Sequence, residues 1–191
     1  MIDSSPDSYP MVNSGSQEST CSAHSAIERE LIQLFDGLRA PLLRYLYGFP
    51  LAPHDAEDVI QESFLSLFQH LHRGTRVASP RNWLFRAVHN SALKRRLRAR
   101  RDMEGAASLG SAENSLVDSA LNPEDQLAFN RTRERLRAVV RALPEQHRWC
   151  LYLRAEGLRY REIGEILNMS LGAVCNCLQR SLALVTRAAE R

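Results

Sequence analysis

The chain has 191 residues, with 25 Lys and Arg against 22 Asp and Glu and a net charge of +3. That length fits one domain or two small ones, and so small a net charge names no partner by itself. No apolar run approaches the roughly 20 residues of a bilayer span, and the N-terminus lacks a basic start followed by an apolar stretch, so neither a membrane span nor a signal peptide is indicated and a cytoplasmic protein is expected.

Residues 1–25 are rich in Ser, Pro, Asp and Gly without apolar periodicity, and are expected to form a disordered tail. From Ala26 to Arg101 apolar residues recur at helical spacing: Leu31, Leu34, Phe35 and Leu38, then Val59, Phe64, Leu67 and Phe68, then Trp83, Leu84, Ala87 and Val88. Helix breaks fall at "GFPLAPHD" and "HRGTRVASP", where Asp55 and Ser79 are placed to cap the helices that follow. Residues 102–124 turn small, polar and acidic, as a flexible linker does. Residues 125–191 return to helical periodicity, and no strand-like alternation occurs anywhere. The expected fold is all-α: two small helical domains joined by an acidic linker, the second a helix-turn-helix.

The helix-turn-helix reading rests on "REIGEILNMSLGAVCNCL". Ile163 and Leu167 face inward, Gly164 allows a close helix crossing, Asn168 tolerates a left-handed turn and Ser170 caps the second helix. On a wheel of about 100° per residue, Leu171, Val174, Leu178, Leu182 and Val185 form the expected buried stripe. Asn176 and Arg180 lie opposite it, with Gly172, Ala173 and Gln179 nearby. Amide side chains can pair bidentately with adenine, and Arg with guanine or phosphate, so this face can read DNA. Cys175 and Cys177 fall on the two flanks of the stripe, about 200° apart, and are expected to be small packing residues that cannot share a metal or form a disulfide within this helix. The four cysteines match no zinc or secreted disulfide spacing, and neither a metal nor a cofactor is expected.

Charge is distributed unevenly. "DAEDVIQESFLSLFQHL" carries Asp58, Gln61, Glu62 and Ser66 on a polar face beside its apolar stripe. Arg81 through Arg101 holds eight Lys and Arg and no acidic residue. Such a helix suits nucleic acid, since cations hold phosphates and aromatic or planar groups stack on exposed bases.

In this order, "DAEDVIQESFLSLF", "PRNWLFRAVHN" and "LPEQHRWCLYLRAEGLRYREIGEIL" resemble the extracytoplasmic-function type of bacterial sigma factor, over roughly residues 27–101 and 125–187. The resemblance implies a dissociable promoter-specificity subunit of RNA polymerase, with no enzymatic activity of its own. Asp58, Gln61, Glu62 and Phe64 would dock on the core polymerase clamp. Trp83, Arg86, His89, Asn90, Lys94, Arg95, Arg96 and Arg98 would engage and melt the proximal promoter element, one exposed base being held in a protein pocket. The linker would thread toward the RNA exit path. Arg161, Ser170, Gly172, Ala173, Asn176, Gln179 and Arg180 would bind the distal element. An anti-sigma partner is common for such proteins, although no residue identifies one. The chain departs from the family pattern at Lys94, where Asp is frequent, and at Cys175 and Cys177, where Lys or Arg is common.

Two rival readings follow from the same residues. A free-standing helix-turn-helix regulator explains the C-terminal half but leaves the acidic face without a partner. A redox or metal sensor would use the cysteines. A nuclease or helicase accessory would need clustered carboxylates or a phosphate-binding glycine loop, and the sequence has neither.

Overall fold

The computed structural model describes the backbone of residues 15–104 and 123–190, and side chains from residue 28 to 101 and from 132 to 190. Seven α-helices and no strand occur among the described residues. They are α1 Gly15–Leu46, α2 Pro53–His72, α3 Pro80–Glu104, α4 Pro123–Ala142, α5 Glu145–Ala155, α6 Tyr160–Leu167 and α7 Leu171–Ala189. Helix α1 begins at Gly15, within the stretch expected to be a tail, while residues 1–14 lie outside the described residues. Most of the expected linker, 105–122, also lies outside them.

Local chemistry accounts for most helix boundaries. Helix α2 starts on Pro53 at its first turn, with Ala52 at the cap position and no side-chain cap. Asp55, expected to be that cap, lies within the first turn, where its charge favours the positive end of the helix dipole. Ser79 Oγ accepts from the Asn82 N–H at 3.3 Å, and Ser170 Oγ from the Ala173 N–H at 3.2 Å, as N-cap hydroxyls do. Asn168 takes the left-handed conformation, φ 53° and ψ 49°, and ends α6. A Cβ on Gly164 would stand 2.8 Å from the Met169 carbonyl oxygen, so only glycine permits this tight turn between α6 and α7.

Helices α1 to α3 bury Leu42, Tyr45, Leu46, Val59, Ile60, Leu67, Leu84, Phe85 and Val88 among themselves. Helix α7 packs against both α4 and α5 and buries Val174, Cys177, Leu178 and Ser181. This corrects the expected stripe: Leu171 is 60% and Leu182 46% exposed. The buried face is rotated toward Cys177 and Ser181, whose small side chains let neighbouring helices approach. Ser181 Oγ donates to the Cys177 carbonyl at 2.7 Å, which satisfies the buried hydroxyl.

The two sets of helices share one contiguous apolar cluster. Helix α5 meets α1, and α6 meets α3. Trp149 stacks on Phe49 with centroids 5.3 Å apart and planes at 15°, while His89 meets the Trp149 ring edge-on at 5.0 Å. Polar contacts surround this joint. Arg44 Nε and Nη2 donate to the Glu156 carboxylate at 2.7 and 2.8 Å, Asn82 Nδ2 donates to Glu162 Oε1 at 2.9 Å, and Arg81 donates to the Glu156 carbonyl.

Two measurements check this packing. Gly to Ala in an open helix gains about 1 kcal/mol, and Gly172→Ala, with open space around it, should follow that sign. Gly164→Ala should instead lose about 1–3 kcal/mol in urea unfolding, because the new methyl meets backbone. Burial first, and the nearby Arg96 charge second, lower the His89 pKa from 6.5 to about 4. Between those values the unfolded chain takes a proton that the folded chain refuses, so stability falls as pH drops from about 6.5 to about 4. The loss amounts to about 3 kcal/mol. In His89→Phe, unfolding free energies at pH 7 and pH 4 should differ by that much less than in the wild type.

Candidate nucleic-acid and protein interfaces

Helix α2 presents its polar face outward. Asp58, Gln61, Glu62 and Leu65 follow one another at helical spacing and are all exposed. Phe64, expected to dock on a partner, is buried and meets Phe35 edge-on at 5.0 Å. One residue along a helix turns about 100°, so Phe64 shares the face of Ile60 and Leu67. The apolar side chain available on the outer face is Leu65, 57% exposed. Sequence reading missed it, although the spacing from Asp58 and Glu62 already placed it there.

The carboxylates of this face have an internal partner that the sequence did not announce. Arg95, on α3, donates to Asp55, Asp58 and Glu62. Arg39 pairs with Glu57 at the same helix.

Helix α3 divides its expected nucleic-acid residues among four environments. Arg86, Asn90, Lys94 and Arg98 are exposed along one side. Trp83 is half-buried, its ring tilted against His70 at 5.2 Å. His89 is buried inside the joint, with Nδ1 2.7 Å from the Tyr45 hydroxyl, and so reaches no DNA in this arrangement. That corrects its expected role: the position lies on the inward face with Phe85 and Ala92, and a neutral imidazole is compatible with it. Arg95 and Arg96 are held by carboxylates. Arg96 pairs with Glu145 of α5 and lies 5.9 Å from the Trp149 ring centroid. The Arg96 guanidinium holds the Glu145 carboxyl below the usual carboxylate range.

Beside α3, the connection from α2 borders an open cleft of about 570 Å³ lined by Glu30, Leu71, Gly74, Thr75, Arg76, Val77 and Ala78. Gly74 has φ 76° there, a conformation L side chains seldom adopt.

In the helix-turn-helix, Arg161, Ser170, Gly172, Asn176, Gln179 and Arg180 are exposed and Ala173 is half-buried. Ser170 spends its hydroxyl on the α7 cap, which fixes the direction in which α7 leaves the turn. Cys175 is half-buried on the flank, as expected. Cys177 is buried and interacts with Cys150 of α5, and burial together with that neighbouring thiol pushes Cys150 up to about 12. Thiolate chemistry is suppressed at Cys150, and both buried thiols pack between α5 and α7. A cation at position 177 would have no route to DNA, whereas position 175 borders the exposed face. Among the described residues no group of His, Cys, Asp and Glu is placed to hold a metal ion.

Comparison with known proteins finds matches over both parts of the chain. The Sigma-70 region 2 model matches residues 34–102, and the Sigma-70, region 4 model matches residues 133–185. The ECF RNA polymerase sigma-E factor of Salmonella typhimurium is 30% identical over 126 residues, covering 63% of this chain and 66% of that protein. The ECF RNA polymerase sigma factor SigE of Mycolicibacterium smegmatis is 33% identical over 139 residues, covering 72% of this chain and 52% of that one. The chain therefore spans between about half and two thirds of the length of these relatives. The structure of CnrH in complex with the cytosolic domain of CnrY resembles 90% of this chain and 94% of its own, with a TM-score of 0.53 and 21% identity, a likeness of fold. With region 2 on α1 to α3 and region 4 on α4 to α7, in that order, the chain belongs to the sigma-70 family, in its extracytoplasmic-function branch.

Proposed function

We propose that this chain is a promoter-specificity subunit that binds core RNA polymerase in the cytoplasm and directs it to promoter DNA, without enzymatic activity of its own. The observation that carries the reading is the separation of three exposed surfaces. An acidic and apolar face lies on α2, a cationic face on α3 and an amide and arginine face on α7. A free-standing regulator has use for the last two only.

In this reading Asp58, Gln61, Glu62 and Leu65 meet core polymerase, where carboxylates recognise a basic surface and the leucine supplies apolar contact. Arg86, Asn90, Lys94 and Arg98 contact the proximal promoter element, with Trp83 at the edge of that face. The cleft lined by Thr75 and Arg76 has room for one unstacked base. Asn176, Gln179 and Arg180 read the distal element while Arg161, Ser170, Gly172 and Ala173 border the backbone. Helices α1 to α3 then form the polymerase-binding and melting unit, and α4 to α7 the distal reader. CnrH is seen with the cytosolic domain of CnrY, and a protein partner of comparable kind is proposed for this chain. No described helix is long and apolar enough to cross a membrane.

Removing charge from each face in turn tests the separation of the surfaces. Asp58→Asn with Glu62→Gln should weaken core binding about tenfold or more in a titration with core polymerase, the loss of roughly 1.4 kcal/mol or above. Lys94→Ala with Arg98→Ala should leave core binding intact and abolish promoter opening, read by permanganate reactivity of unpaired thymines. Equal loss of both properties in either pair would contradict the division.

A further inference from the structure

Arg95 differs from the other cations of α3 in what holds it. Its Nη1 donates to Asp55 Oδ1 at 2.8 Å and to Asp58 Oδ2 at 3.3 Å, and its Nη2 to Glu62 Oε1 at 2.8 Å. The arginine side chain is 22% exposed, whereas Asp58 and Glu62 are 55% and 61% exposed. Each of these carboxylates therefore touches the guanidinium on one side and faces solvent on the other. Asp58 and Glu62 are also the carboxylates assigned to polymerase docking. The two interfaces share their charge at this residue.

A basic surface that takes Asp58 and Glu62 changes the balance around Arg95 in two ways. It competes for the lone pairs that hold the guanidinium, and it brings positive charge within a few ångströms of it. Like charges a few ångströms apart repel, the more strongly the less water lies between them. Asp55, 35% exposed, is then the remaining anchor. An arginine stem has enough rotatable bonds to redirect its head from one face of α3 to an adjacent one. Lys94 and Arg98, exposed on either side in sequence, mark where a DNA backbone would pass.

We propose that Arg95 couples docking to DNA contact. In the free chain its guanidinium is clasped by Asp55, Asp58 and Glu62. When a basic protein surface occupies Asp58 and Glu62, Arg95 turns to a DNA phosphate. This inference rests on the assignment of the α2 face to core polymerase, and it gives the chain a reason to hold DNA better once polymerase is bound.

The salt dependence of DNA binding tests it, because each phosphate contact contributes a slope of about −0.9 in log K against log salt for duplex and about −0.7 for a single strand. The full chain alone and its complex with core polymerase are titrated with a promoter fragment at several salt concentrations, in the wild type, Arg95→Gln and Arg95→Lys. In the complex, Arg95→Gln should flatten the slope by about 0.7–0.9, and Arg95→Lys should keep the wild-type slope. For the chain alone all three slopes should coincide. Circular dichroism and core affinity are read on the same samples, and Arg95→Ala serves as a second charge-free variant. An unchanged slope in the complex, or an equal loss with and without polymerase, overturns the coupling while leaving the docking assignment standing. Failure of the wild-type chain to bind core overturns both.

Discussion

Trp149 is the contact on which the arrangement of the molecule depends. Phe49 lies against its ring face, His89 against its edge and Arg96 at 5.9 Å from its centroid. One side chain of α5 thus joins the C-terminal helices to the turn after α1 and to the middle of α3. Paired aromatic contacts of this kind add about 0.5–1.5 kcal/mol each beyond the area they bury. The rim pairs, Arg44 with Glu156 and Arg96 with Glu145, are solvent-exposed on at least one side and add about 0–1 kcal/mol each. The joint is therefore ordered by aromatic packing, and the ion pairs at its rim add little.

That joint explains which readings survived the step from sequence to structure. The helical class, the breaks at Gly and Pro, the Ser79 and Ser170 caps and the Asn168 turn obey local rules and were legible from neighbouring residues. The burial of Phe64 was legible too, in the apolar stripe it shares with Leu67, yet the residue was expected to dock on a partner. His89 and the α7 stripe were not. Whether His89 faces solvent depends on Phe49 and Trp149 covering it, and whether Cys177 or Leu182 is inside depends on where α4 and α5 lie. The clasp of Arg95 and the pairing of Arg96 join residues 33 to 49 positions apart, beyond the reach of any periodicity. Sequence read these residues by their charge, and only the fold assigned them partners within the chain.

Charge pairing within the chain bears directly on how such a protein handles DNA. Of the four consecutive or nearly consecutive cations Lys94, Arg95, Arg96 and Arg98, the middle two are engaged with carboxylates of α2 and α5. The outer two are exposed. With two of these four cations neutralised internally and a net charge of only +3, the chain offers few phosphate contacts, and few contacts supply little affinity at physiological salt. In the proposed function promoter binding then depends on polymerase, which would add contacts of its own and occupy the acidic face of α2. The most direct measurement is the affinity of the chain for a promoter fragment at physiological salt, with and without core RNA polymerase. Weak, sequence-indifferent binding by the chain alone and strong, selective binding in the complex is the expected result; nanomolar, sequence-selective binding by the chain alone would contradict it.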